Sequence, residues 1–333
     1  MCGCRNTEKI NVDIIQENEK IQIGMSFDSF VIERWQRDRD VFVSMAKELG
    51  AEVNIQNANG DVDEQIRQIE YFIKKKMDAI VIISIDSDAL KDIVKKAKDA
   101  GIIVVSYDRL IENADTDIYI SFENEKVGSM MAQSLVDAGM AGGKVVMLGG
   151  SMADYNVSMV EDAFQNVCEK NNIQILDSYH ADGWLAELAG EYVREHMEII
   201  SQADAIMCGN DDLASQVVPV LAENRLAGKI YVTGQDADLQ ACQRIVEGTQ
   251  LMTVYKPVER LAQKAAECTV ALVKGEELPV SQVGWINDGT YDIKYVGLEP
   301  FCVTENNIDT IIIESGFHLK EDVYLNVPSK MPK

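Results

Sequence analysis

From Ile21 onward the chain alternates short apolar runs with amphipathic stretches. Residues 21–25 read as a strand, and 33–49 as a helix that gathers Trp35, Val41, Phe42, Met45 and Leu49 near one face. The pattern goes on with strand 52–56, helix 63–75, strand 79–83, helix 88–100 and strands 102–106 and 118–121. It then repeats. Helix 125–138, strand 144–148, helix 154–170, strand 173–179 and helix 185–200 precede strand 205–208, helix 213–225, strand 230–233, helix 239–247 and strand 251–255. The unbroken run Ala79-Ile80-Val81-Ile82-Ile83 has no polar face, so that strand is covered on both sides, as central strands of parallel sheets are. Gly50 and Gly101 fall where helices should stop. Strands alternating with helices predict an α/β fold of doubly wound parallel sheets. Ten or more strands in two successive blocks predict two lobes rather than one sheet.

Length agrees, since 333 residues suit about two domains of ~150 each. Lys plus Arg total 31 against 55 Asp plus Glu, a net charge of −24. That balance argues against a nucleic-acid or anionic-membrane surface, which gains affinity by placing basic residues on phosphates. It leaves open docking onto a basic patch of a protein partner. No apolar run approaches the ~18 residues of a membrane span. The start, Met1-Cys2-Gly3-Cys4, resembles the end of a bacterial lipoprotein signal, which would place a lipid on Cys4 and make residues 1–20 a polar tether. The plainer alternative is an N-terminus without a role. Cys168, Cys208, Cys242, Cys268 and Cys302 are widely spaced in apolar contexts and are expected as free buried thiols. With three histidines and no CxxC pair, neither a zinc site nor another metal or cofactor is expected.

Open α/β sheets bind ligands outside the carboxyl ends of their strands. In the first block those ends carry Asp28, Glu33, Arg34, Trp35, Asp86 and the pair Asp108-Arg109. In the second they carry Asn156, Trp184, Asn210-Asp211, Asp236 and Lys256. Carboxylates and amides accept from a sugar hydroxyl, Arg and Lys donate to it, and an indole covers the C–H face of a pyranose ring. Mixed charge also suits an uncharged ligand, since burial then strands no lone ion. Each residue has a plainer reading. Asp108-Arg109 reads equally as a local ion pair, Trp35 and Trp184 as packing residues, Asn210 and Asp236 as helix caps, and Lys256 before Pro257 as a solvated hinge residue. Only their common location at strand ends joins them.

Enzyme signatures fail. The stretch from Gly139 to Lys144 is one residue short of a phosphate loop and precedes a strand instead of following one. Neither GxGxxG after the first strand nor GxSxG is present. Asp108 and Asp236 would make a glycosidase pair only if one stayed protonated, which Arg109 and Lys256 oppose. No catalytic residue is therefore assigned, and a glycoside hydrolase is kept as a remote alternative.

Several motifs, in order and without large gaps from about residue 20 to 319, resemble one family. They are Ile23-Gly24-Met25-Ser26 running to Arg34-Trp35-Gln36, Tyr107-Asp108-Arg109, and Tyr119-Ile120-Ser121-Phe122 with the helix start behind it. Asp182-Gly183-Trp184-Leu185, Gly234-Gln235-Asp236-Ala237-Asp238-Leu239 and Thr253-Val254-Tyr255-Lys256-Pro257 complete the set. Together they resemble the D-xylose-binding proteins of bacterial ABC importers, members of the type I periplasmic-binding-protein family. The resemblance implies two lobes joined by a three-stranded hinge and closing on a monosaccharide, D-xylose. It carries ligand contacts onto Arg34, Trp35, Asp108, Arg109, Asn156, Trp184, Asn210, Asp236 and Lys256, although the loop before Asn156 departs from the family pattern. Crossovers are expected near residues 123–125, 255–257 and 284–287. The first lobe would then hold 21–123 with 257–284, the second 124–256 with 285–322, and 323–333 would be a tail. An extracytoplasmic location is implied, with an ABC permease or a membrane sensor kinase as partner. The rivals are a broader aldose-binding protein for glucose, galactose or arabinose, and the sugar-sensing domain of a transcription repressor. The repressor reading needs a basic helix-turn-helix, which the polar residues before Ile21 do not supply.

Overall fold

The computed structural model describes residues 20–32 and 34–332. Cys4 and the rest of the expected tether before Lys20 lie outside them, as does Glu33. Among the described residues thirteen strands form two sheets. In chain order they are β1 (Ile21–Phe27), β2 (Ala51–Asn57), β3 (Ala79–Ile82), β4 (Ile103–Tyr107) and β5 (Ile118–Phe122). Next come β6 (Lys144–Gly149), β7 (Gln174–His180), β8 (Ala205–Cys208), β9 (Tyr231–Gln235) and β10 (Met252–Tyr255), then β11 (Gly284–Asn287), β12 (Asp292–Leu298) and β13 (Phe301–Thr304). One sheet runs β11-β12-β5-β4-β3-β1-β2, the other β13-β10-β9-β8-β6-β7. Among the described residues only the β11–β12 and β10–β13 pairings are antiparallel. Helices fill the crossovers between parallel strands, except that β4 and β5 pair in parallel through the helix-free stretch 108–117. The four residues of β3 and the four of β8 are fully buried, which is what their uninterrupted apolar runs require.

Both sheets reverse their strand order, between β1 and β3 in one and between β6 and β8 in the other. Loops diverge at such points and open a crevice at the carboxyl ends of the strands. The two crevices face each other, and an apolar cluster holding Trp35, Val157 and Trp184 runs from one lobe into the other. Among the described residues no helix is long and apolar enough to cross a membrane.

Two crossovers fall in the expected places, at Glu123 between β5 and helix Asn124–Asp137 and at Lys256-Pro257 between β10 and helix Val258–Lys274. The third does not. It lies at Glu299-Pro300, between β12 in the first sheet and β13 in the second, rather than at residues 284–287. The cause is a hairpin that the strand pattern missed. β11 pairs with β12 from Gly284↔Tyr295 to Asn287↔Asp292, and β12 extends the first sheet alongside β5. At its turn the buried Asp288 carboxylate accepts from the backbone of Thr290 (2.9 Å) and Tyr291 (2.7 Å). The same group accepts from Ala114 and Asp115, both at 2.9 Å, and so pins the hairpin to the first lobe. Residues 285–298 therefore belong there and not to the second lobe. The expected tail is also part of the fold, for Val323 is fully buried and Tyr324 nearly so against Ile308, Ile312 and Val303.

Candidate functional site

All nine residues assigned from the sequence line one crevice between the lobes. The first lobe contributes Arg34 and Trp35 from the start of helix Arg34–Glu48, and Asp108 and Arg109 from the end of β4. The second contributes Asn156, Trp184, Asn210 and Asp236, and Lys256 enters from a crossover. Three of the nine hold left-handed backbone without being glycine: Asp108 (φ 62°), Trp184 (φ 58°) and Asp236 (φ 97°). Such conformations cost of order 1–3 kcal/mol each and persist only where the surroundings enforce them. The strained turns aim side chains into the gap.

The charged groups are cross-paired. Arg34 donates to Asp108 Oδ2 (2.8 Å) and to both oxygens of Asp38 (3.2 and 3.3 Å), and its other nitrogen lies 3.7 Å from Asp236 of the opposite lobe. Arg109 donates to Asp28 (2.8 Å) and to the Ser84 carbonyl (3.0 Å), while its Nε lies 2.8 Å from Asp154 across the gap. Lys256 Nζ sits 2.7 Å from Asp236 Oδ1, though off the line of a hydrogen bond. The adjacent Asp108 and Arg109 therefore do not pair with each other as the local reading had it; each faces a distant partner.

Burial sets the ionisation and the cations correct it. Burial pushes the Asp108 carboxyl up, but Arg34, Lys256 and Arg109 outweigh it and hold the group below its ordinary value. For Asp28 and Asp154 burial wins over Arg109, and both are raised. Arg34 loses by burial and gains more from Asp108, Asp38 and Asp236, so its guanidinium stays charged. Every cation lining the crevice thus faces a carboxylate at 2.8 Å or closer. No cation is left over for an anionic ligand.

Polar valences that remain are neutral or aimed inward. Trp35 Nε1, Trp184 Nε1 and Arg109 Nη2 are buried donors without a partner, and Gln235 Oε1 is a buried acceptor without one. Outside the crevice walls, only Thr116 and Thr233 leave a buried side-chain polar atom orphaned among the described residues. Buried polar groups are otherwise almost always satisfied, so this concentration singles out the crevice.

Some plainer readings hold alongside. Asn210 Oδ1 does cap helix Asp211–Glu223, accepting from Leu213 N at 2.9 Å, which leaves its amide N–H₂ for the crevice. Asn156 is spent between lobes: its Nδ2 donates to the Asp108 carbonyl (2.9 Å) and its Oδ1 accepts from Tyr119 (3.0 Å). Asp236 does not cap the helix that follows it. Lys256 is buried, not solvated. Asp86 and Asp211 stand at strand ends but do not line the crevice. Sequence reasoning missed Asp154, Gln235 and Glu161. The first was legible as a helix cap before Asn156, and Asp154 Oδ1 indeed accepts from Asn156 N at 3.0 Å. Gln235 ends a buried strand and Glu161 lies inside a helix, positions with no local signal.

Two similar lobes around a crevice lined by ion pairs, indoles and unpartnered buried polar atoms have the architecture of a two-lobed small-solute-binding protein. Comparison with known proteins agrees with that class. A model of the family described as "Periplasmic binding protein domain" matches residues 23–277, and the chain belongs to this family. It is 40% identical over 312 residues to a D-xylose-binding periplasmic protein of Haemophilus influenzae, covering 92% of this chain and 93% of that one. It is 38% identical to the D-xylose-binding periplasmic protein of Escherichia coli, covering 95% and 97%. Among solved structures, an ABC transporter solute-binding protein from Clostridium phytofermentans with bound β-D-glucose superposes with a TM-score of 0.81 at 25% identity, covering 91% of this chain and 99% of that one.

Proposed function

We propose that this protein is an extracytoplasmic receptor that traps D-xylose between its lobes, chemically unaltered, and presents the closed form to an ABC permease. The observation that carries the reading is the set of orphaned groups facing one another across the gap, three N–H donors and one amide oxygen, beside ion pairs that already neutralise themselves. A pyranose supplies both acceptors and donors to such a wall, and its C–H faces suit Trp35 and Trp184. Identity near 40% over nearly the whole chain to D-xylose-binding proteins supports the choice of sugar and of partner. Closure follows from the lobes sharing the contacts. A sugar that first meets one lobe biases the closed form by what the second lobe adds. Of the two carboxylates weighed as a glycosidase pair, Asp108 is held ionised beside Arg34, which does not suit a general acid that must keep its proton.

Calorimetric titration with D-xylose, ribose, arabinose, glucose and galactose tests the proposal. Xylose is expected to bind at micromolar or tighter Kd, and Asp236→Ala and Arg109→Ala are each expected to weaken it at least tenfold, about 1.4 kcal/mol. Wild-type affinity in both variants would show that the crevice is not the site. Tighter binding of a hexose would replace xylose as the ligand.

A further inference from the structure

The chain beyond β13 packs on the second lobe, yet one stretch of it reaches back to the hinge. Phe317 lies with its ring 4.7 Å from that of Tyr255, the last residue of β10, and the Arg37 guanidinium of the first lobe sits 4.4 Å over the Phe317 ring. The next residue, His318, brings Nε2 to 2.8 Å from the Ala237 carbonyl oxygen. A carbonyl can only accept, so Nε2 carries the proton and donates. Ala237 is fully buried and left-handed (φ 56°), and it directly follows Asp236 at φ 97°. Two consecutive non-glycine residues in that region make a turn that will not stay in place unaided.

The anchors of this turn are few. Asp236 N donates to the Val254 carbonyl (2.8 Å), Ala237 N to Thr253 Oγ1 (3.2 Å) and Asp238 N to Asp211 Oδ2 (3.2 Å). These hold its N–H groups from one side, while on the other the Ala237 carbonyl accepts from His318 and, more weakly, from Cys242 Sγ at 3.5 Å. An open pocket lined by Arg34, Asp236, Asp238, Phe317 and His318 adjoins the turn, which therefore has room to relax if the histidine lets go.

We infer that His318 is a positioning residue: through its bond to the Ala237 carbonyl it fixes the strained turn and thereby aims the Asp236 carboxylate into the crevice, with Phe317 under Arg37 tying the same stretch to the opposite lobe. The inference rests on the sugar-binding reading for its functional consequence and on geometry alone for the bond. Nothing in the sequence around His318 indicates it, because the contact spans 81 positions.

The test is a double-mutant cycle of His318→Ala and Asp236→Ala, with His318→Gln as the variant that keeps a donor at the same reach, read by D-xylose titration and by amide hydrogen exchange of the full chain. His318→Ala is expected to weaken xylose binding about three- to tenfold, the net worth of one hydrogen bond, and His318→Gln to restore it. On the Asp236→Ala background, His318→Ala should change Kd less than twofold, which a merely structural role would not produce. Faster exchange at Ala237 and Asp238 in His318→Ala, reversed in His318→Gln, is expected whatever the ligand. Unchanged exchange, or additive losses in the cycle, overturns the inference. A wild-type protein that binds no aldose overturns the sugar reading and leaves the exchange result to decide this one.

Discussion

Replacing Arg109 by methionine removes one guanidinium and strands two carboxylates. Asp28 loses a 2.8 Å donor, Asp154 loses a cation at 2.8 Å, and the Ser84 carbonyl loses a 3.0 Å donor. Both carboxylates are buried, and in both Arg109 is the largest influence opposing burial. Breaking a buried pair by deleting one partner costs about 3–5 kcal/mol at neutral pH. The cost depends on pH in a direction that can be worked out. Without Arg109 both folded-state values rise further above that of the unfolded chain. A carboxyl whose folded value is raised imposes no penalty below its unfolded value of 3.8; the penalty grows as pH rises above that and levels off past the folded value. The growth is up to about 1.4 kcal/mol per pH unit for each group. Urea unfolding of wild type and Arg109→Met at pH 7.5 and pH 4.5 should therefore show a stability gap that is widest at pH 7.5 and shrinks markedly at pH 4.5. Arg109→Lys, which keeps the charge but not the fork, should lie between the two proteins at pH 7.5. A gap of equal size at both pH values would refute the reasoning, because it would mean that Asp28 and Asp154 do not depend on this cation.

Two further outcomes follow from single atoms. A Cβ at Gly150 would lie 2.3 Å from the Trp184 ring, so Gly150→Ala forces the indole back by roughly 1 Å. The change removes no polar group, and a tenfold or larger loss of sugar affinity by calorimetry is expected, with wild-type affinity counting against Trp184 as a wall. Gln235 Nε2 donates to the Gly209 carbonyl at 2.6 Å while Oε1 has no partner, so Gln235→Leu should weaken sugar binding about five- to tenfold. An unchanged Kd would show that this acceptor meets no ligand hydroxyl.

Much of the molecule is written locally. Runs such as those of β3 and β8 have no polar face to offer water, so they must lie inside a parallel sheet, and alternation with helices then leads to a doubly wound fold. The rule that ligands sit at strand carboxyl ends picks out Arg34, Asp108, Asn210, Asp236 and Lys256 before any coordinate is known, because those ends are read from the same apolar pattern. What local pattern cannot carry is pairing over distance. Whether Arg109 faces its neighbour Asp108 or the remote Asp28 and Asp154 depends on how two lobes meet. The third crossover moved to Glu299-Pro300 because β12 extends the first sheet beside β5, a pairing that its mixed polar and apolar sequence does not advertise. The half-turn at Asp236-Ala237 and the histidine that holds it are likewise settled only when residues 81 apart in the chain are brought within hydrogen-bond range. Strand and helix periods are properties of neighbours a few residues apart, whereas electrostatic partners and crevice walls are chosen by packing, and only the folded chain makes that choice.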